Sequence, residues 1–297
     1  MMKLKRSLKN SAKRGLLVNA FLIIALLAGC SPSPQSNYLK KDIPKAIKDI
    51  AKKELGLEIT CRMVDQTLWV YWPVDNLFEP LKKPLKYTEK FTVEEDKCKF
   101  KRGNFLLAYK IAPLEPVEKT QEFGYDKKVL EKINRLWNVI RRVLFSIDRK
   151  KSLEPEYILL IITDIKNGFE IRDTCSFPDL KKISYGFISV EEYQHRSLQK
   201  SDFLPQVVGD KNGDYLQYHN LAAEDFICQQ IQHRIRLKFQ KPEVEKNADI
   251  DREVEKVVAN TLKIYKFDDF NAVEFNNLAS KKKFTLNRAA ILDKPTK

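Results

Sequence analysis

The chain has 297 residues, of which 43% are apolar, 10% aromatic and 32% charged. That composition is globular, and it confines expected disorder to the two ends. The formal charge is +14, but six of the 54 bases and none of the 40 acids precede residue 30. The remaining excess of 48 bases over 40 acids describes a solvated, lysine-rich surface and gives no warrant for nucleic acid as a partner.

Residues 1–15 are basic, Leu16–Ala28 is apolar with one break at Asn19, and Gly29-Cys30 follows. A basic region, a short apolar run and small residues in that order predict a secretory signal, and the run is too short to span a bilayer. Leu27-Ala28-Gly29-Cys30 resembles the lipobox of bacterial lipoproteins, L-[AS]-[GA]-C, which is cut before the cysteine. The resemblance implies lipidation at Cys30, cleavage after residue 29, and a membrane partner reached through that lipid. Several acyl chains, at ~0.8 kcal/mol per buried CH₂, hold a protein stably where one would be marginal. Ser31 in place of an aspartate further implies the periplasmic face of the outer membrane, in a host with two membranes. Ser31–Asn37 reads as a short polar tether.

Further along, Asp42 is placed to cap a helix carrying Ile43, Ile47, Ile50, Ala51 and Leu55 on one face, with Gly56 as its stop. Leu57, Ile59, Cys61 and Met63 alternate as in a half-buried strand. Leu68–Trp72 is apolar on both faces and predicts a central strand ended by Pro73. Residues 73–124 are rich in Pro and Lys, and predict irregular extended chain with strand-like stretches at Lys90–Val93 and Phe105–Ile111.

Asp126 opens the strongest amphipathic helix, with Leu130, Ile133, Leu136, Trp137, Ile140, Val143 and Leu144 at helical spacing. Tyr157–Ile162 is a buried strand, and Asn167-Gly168 predicts a two-residue hairpin turn returning through Phe169–Arg172. Further strands are expected at Ile183–Ser189, Gln206–Val208 and Tyr215–Tyr218. Ser189–Glu192 matches a capping box, and Asn220 is placed to cap a helix carrying Phe226, Ile227, Ile231 and Ile235. The last helix carries Ile250, Val254, Val257, Val258, Thr261, Leu262 and Tyr265, before strands at Ala272–Phe275 and Lys283–Leu286. A helix–strand–strand order therefore begins at Asp42, Asp126 and Asp249, too unevenly spaced for a solenoid.

Chemistry-bearing motifs are sparse. An exported compartment permits disulfides among Cys61, Cys98, Cys175 and Cys228, without fixing the pairing. His219, Cys228 and His233 form a cluster, but Cys228 and His233, five apart on a helix beginning near Leu221, do not share a face, as a zinc site would require. Asp210–Asp214 starts like a calcium loop, but Tyr215 and Leu221 stand where the sharp turn needs glycine and the ion needs a bidentate acid. Carboxylate pairs at Glu94-Glu95, Glu191-Glu192 and Asp268-Asp269 read as charged surface. Trp69, Tyr71, Trp72 and Trp137 fall in apolar patterns and read as core. No Walker loop, dinucleotide glycine pattern or nucleophile elbow occurs.

The expected fold is α+β, with antiparallel hairpins and small sheets packed against amphipathic helices. Its expected organisation is a signal at 1–29, a lipid-anchored tether at 30–41, α+β regions at 42–124 and 125–245, and a C-terminal helix with short strands at 246–297. The expected function is a membrane-anchored envelope lipoprotein whose body is a non-catalytic binding or assembly module. No cofactor, metal or catalytic residue is expected; another envelope protein or an anionic envelope polymer is the expected soluble partner. The alternative is an envelope enzyme such as a cell-wall hydrolase, its site assembled from residues far apart in the chain.

Overall fold

The computed structural model describes residues 38–148, 154–240, 244–245 and 247–293. The fold is α+β, and the described chain divides into two units. One comprises 38–79 and 124–220, the other 80–123 and 221–293. This division differs from the expected boundaries at 124/125 and 245/246. The segment 80–123 joins the C-terminal part because its strand β4 (Asn104–Tyr125) pairs there with β8 (Ala272–Asn277).

In the first unit, helix α1 (Ile43–Ile50) follows a 3-10 turn at Lys40–Asp42 and continues as a π turn over Ala51–Leu55. Asp42 makes no side-chain cap, contrary to expectation, because the 3-10 turn already supplies the helix entry. Gly56 does end the helix, at a left-handed φ of 64°. Strands β1 (Thr60–Val64) and β2 (Thr67–Val74) form an antiparallel hairpin. Helix α2 (Lys127–Phe145) begins where Asp126 accepts the Val129 amide at 2.9 Å. Strands β5 (Tyr157–Asp164), β6 (Phe169–Ser176) and β7 (Leu198–Phe203) complete the sheet, in the order β1-β2-β5-β6-β7.

The β2–β5 pair is parallel and its neighbours are antiparallel. Strand β2 is central as expected, but it runs through Pro73 to Val74. Its ladder with β1 stops at Tyr71, so the missing Pro73 amide falls where only β5 flanks it. Leu68, Val70, Trp72, Ile158, Leu160 and Ile162 point to one side and share a core with Ile133, Leu136, Ile140 and Leu144 of α2 and Ile43 and Ile47 of α1. The expected union of the 157–172 hairpin with the Asp126 helix is therefore present.

Between β6 and β7 lie α3 (Phe177–Ser184) and α4 (Val190–Arg196). The strand expected at Ile183–Ser189 is absent. Ser176 accepts the Asp179 amide at 3.2 Å and Pro178 occupies the first turn, two helix-starting signals that carry the chain helically to Ser184. The capping box is formed, with Ser189 Oγ accepting the Glu192 amide at 3.1 Å.

In the second unit, β3 (Phe78–Lys101) and β4 are neighbours joined by the two-residue turn Arg102-Gly103. Both turn residues have positive φ, 52° and 76°, the signature of a type I′ hairpin. The irregular chain expected over 73–124 is thus a long ribbon, laced by ion pairs Lys86–Glu118, Lys119–Glu89 and Lys110–Glu94. Helices α5 (Ala223–Gln240) and α6 (Ile250–Tyr265) precede β8, which runs parallel to β4, and β9 (Lys282–Asn287), which returns antiparallel. The short helix α7 (Arg288–Leu292) ends the described chain. Both units therefore use one plan: a hairpin, a helical crossover, a strand parallel to the hairpin's second strand, and a second hairpin. Among the described residues, no helix is long and apolar enough to cross a membrane.

Candidate interaction surfaces

The side of the first sheet away from α1 and α2 carries Trp69 and Tyr71 on β2, Ile161 and Thr163 on β5, and Glu170 and Arg172 on β6. A strap, residues 204–220, covers it. The strap is pinned by backbone acceptors: Tyr71 OH donates to Asp210 O at 2.6 Å, and Trp69 Nε1 to His219 O at 2.9 Å. Its aromatic rings pack edge-on, Tyr215 against Tyr71 and Tyr218 against Trp69. Beneath them Glu170, 2% exposed, bonds the hydroxyl of Tyr215 and the guanidinium of Arg172. Burial, and then the bond to Glu170, hold the Tyr215 hydroxyl well above its usual range.

This strap contains the calcium-like run. Asp210 accepts the amides of Asn212, Gly213 and Tyr215 at 2.9, 2.7 and 3.2 Å. Burial opposes its charge, but these amides together with that of Asp214 leave the carboxyl below its ordinary value. The Asp210 carboxylate thus organises the turn from its first residue. Gly213 adopts φ 75°, and a Cβ there would lie 3.1 Å from Leu216, Tyr218 and Tyr71, so glycine serves close packing. The hairpin expected from 206–208 and 215–218 does not form; a 3-10 turn at Pro205–Val207 and the strap replace it. The helix expected behind Asn220 begins at Ala223, and Asn220 Oδ1 accepts from the Gln66 amide and Thr67 Oγ1, fixing the strap's end to β2.

Two aromatic groups face solvent in this unit. Phe169, Phe203 and Val208 gather at the β6–β7 end, with Phe169 and Phe203 ring centroids 5.4 Å apart and the latter 62% exposed. Gly168 lies under them, where a Cβ would come within 3.2 Å of Phe203. The second group is Phe145, Tyr185 and Phe187. Tyr185 stacks on Phe145 at 5.8 Å, and Phe187 is 77% exposed. Phe145 adjoins Ser146, whose carbonyl accepts the Tyr38 amide at 3.0 Å, so this group lies beside the first described residue. A single exposed apolar side chain is ordinary, whereas grouped aromatic rings make a candidate interaction surface.

In the second unit, a cavity of about 900 Å³ opens beside α6, lined among others by Lys238, Asp251, Glu253 and Lys282. Several of its charges pair with one another. Asp251 accepts from Tyr109, Asn277 and Lys282, and Glu253 from Lys238 and Lys256. These bonds hold both carboxyls below their ordinary values against the opposing effect of burial.

Of the residues singled out in the sequence, Cys30 lies outside the described residues. His219 falls in the first unit, and Cys228 and His233 in the second. Among the described residues, no group of three or more His, Cys, Asp or Glu is placed to hold a metal ion. Glu94 pairs with Lys110, and Glu192 accepts from Arg196 Nε at 2.7 Å, so both act as surface or helix-side ion pairs. Trp72 and Trp137 belong to the helix-side core, while Trp69 and Tyr71 lie under the strap. The Glu170–Tyr215 contact was not foreseen; the buried position of Glu170 depends on sheet register that no local pattern announces. No protein-family model matches the chain, and neither the curated proteins nor the solved structures yield a match.

Proposed function

We propose that this chain is a membrane-anchored bacterial envelope lipoprotein, held by lipid on Cys30, whose α+β body is a non-catalytic binding or assembly module. The observation that carries the reading is Leu27-Ala28-Gly29-Cys30, set directly behind a basic and then an apolar stretch. The placement of the body supports it. Seven residues separate Cys30 from Tyr38, a reach of at most ~29 Å over eight steps along the chain. The end of the first unit that receives Tyr38 also bears Tyr185 and Phe187, aromatic rings suited to a lipid headgroup layer.

Labelled palmitate should enter the wild-type protein, and Cys30→Ala should abolish the label and leave uncleaved precursor. Equal incorporation by both would overturn the anchor. An envelope enzyme is the second reading, and Glu170 is the buried acid that would favour it; Tyr215, however, occupies its carboxylate. Purified peptidoglycan offered to the acylated protein separates the two. Release of soluble fragments that Glu170→Gln abolishes would overturn the non-catalytic half of the reading.

A further inference from the structure

Two cysteines of the second unit come from distant parts of the chain. Cys98 sits near the turn end of β3, and Cys228 lies in the first half of α5, 130 positions later. Both are free thiols, and their Sγ atoms are 2.7 Å apart. Nonbonded sulfurs ordinarily rest much farther apart, and a formed bridge needs only about 2.05 Å. The other two described cysteines belong to the first unit: Cys175 lies in its core, and Cys61 packs against that core. Strand β3 is an edge strand of its sheet, the kind of element a crosslink to a packed helix secures.

We propose that Cys98 and Cys228 are a disulfide site that fastens the edge strand β3 to α5. The proposal rests on the export reading above, because structural disulfides persist in oxidising compartments. The oxidant is an external protein or small-molecule disulfide. Cys98 is partly exposed and Cys228 is 4% exposed, which sets the order of events. The Cys98 thiol loses its proton, and the thiolate attacks one sulfur of the oxidant, expelling the other as a thiol. The Cys228 thiolate then attacks Cys98 Sγ in the mixed disulfide and expels the second oxidant thiol. The pair has lost two protons and two electrons, and the oxidant has gained them. The bond between the two thiols, and then burial, hold the Cys98 proton tightly, so the reaction requires such an exchange partner and is slow in air.

The test uses the full chain, expressed with its own signal, purified without reductant and alkylated in denaturant. Cys61 and Cys175 should be alkylated, and a reducible peptide pair should join Cys98 to Cys228. Dithiothreitol should lower the unfolding temperature of the wild type and leave that of the Cys98→Ser/Cys228→Ser variant unchanged. Alkylation of all four thiols in protein that carries lipid on Cys30 would overturn the bridge while leaving the export reading intact. If the chain proves unlipidated, the anchor reading fails by itself, and reduced protein treated with oxidised glutathione decides the pairing. Crosslinking of Cys98 to Cys228 supports it; a persistent glutathione adduct on Cys98, or no reaction, overturns it.

Discussion

Leu77 and Asp164 lie 87 positions apart in the chain, yet the Leu77 backbone N–H donates to Asp164 Oδ2 at 2.9 Å. Leu77 in turn accepts the Asp126 amide at 3.0 Å. Asp164, 1% exposed, also accepts from the amides of Lys166 and Asn167 and from Asn167 Nδ2. One buried carboxylate thus ties the β5–β6 loop to the start of β3 and, through Leu77, to the start of α2. Asp164→Ala leaves these donors without an acceptor and should cost about 2–4 kcal/mol. Asn167→Ala, which removes only part of the network, should cost about 1 kcal/mol. Urea unfolding of the purified protein measures both, and a near-neutral Asp164→Ala would refute the role.

The same loop shows how far the sequence could be read. Asn167-Gly168 correctly marked the reversal between β5 and β6, but the pairing Asp164↔Phe169 makes the loop four residues long. Only Gly168 has positive φ, because the Asp164 side chain organises the turn from inside, which no dipeptide preference encodes. The helices at Asp126 and Asp249 were legible because each joins a local cap to a one-sided apolar stripe. Much of the long ribbon was not: between Pro80 and Lys90 its side chains are mostly exposed, so no alternation of apolar and polar residues arises. Cys98 and Cys228 were visible as residues and invisible as a pair, since their meeting depends on tertiary packing.

The two sides of the first sheet should respond differently to core truncation. Ile140 packs on the helix side, whereas Ile161, also 0% exposed, points beneath the strap. Ile140→Ala and Ile161→Ala should each cost about 2–5 kcal/mol, and exposed Glu131→Ala less than about 0.5 kcal/mol. The two isoleucine losses should add, because the sheet separates them, whereas Ile140→Ala and Leu160→Ala share one core and should not. Strong coupling between Ile140 and Ile161 would contradict the assignment of sides.

Asp173 gives the fold a pH dependence. It lies between Ile171 and Cys175 on the helix side of β6, and accepts from Gln199 Nε2 at 3.0 Å. Burial pushes its carboxyl up to about 6, although bonds from Gln199 and Trp137 oppose the rise. The folded state therefore binds this proton more tightly than the unfolded chain. The resulting stability is complete below the unfolded value near 4 and is lost as pH rises through about 6. Wild type minus Asp173→Asn should thus show a difference that favours the wild type by on the order of 1 kcal/mol more at pH 5 than at pH 7.5. A flat difference curve from chemical denaturation across that window would exclude Asp173 as its source.

The strap's hold on the sheet turns on Tyr215. Its hydroxyl bonds buried Glu170 and lies 3.2 Å from Thr163 Oγ1, while its ring packs on Tyr71. Tyr215→Phe keeps the ring and removes the donor, leaving Glu170 with Arg172 Nη2 at 3.0 Å. A buried acceptor that loses a partner costs about 1–3 kcal/mol. If the abandoned carboxylate is the source of that cost, Glu170→Gln should be less harmful in the Tyr215→Phe background than in the wild type. A double-mutant cycle in urea reads this coupling directly. The strap also contains exposed Lys211, so loosening it should speed tryptic cleavage after that residue in proportion to the lost local stability. Additive single losses with unchanged cleavage would mean that the strap is held by its other bonds, those of Trp69, Tyr71 and Asn220 among them, and that the Glu170–Tyr215 contact contributes nothing.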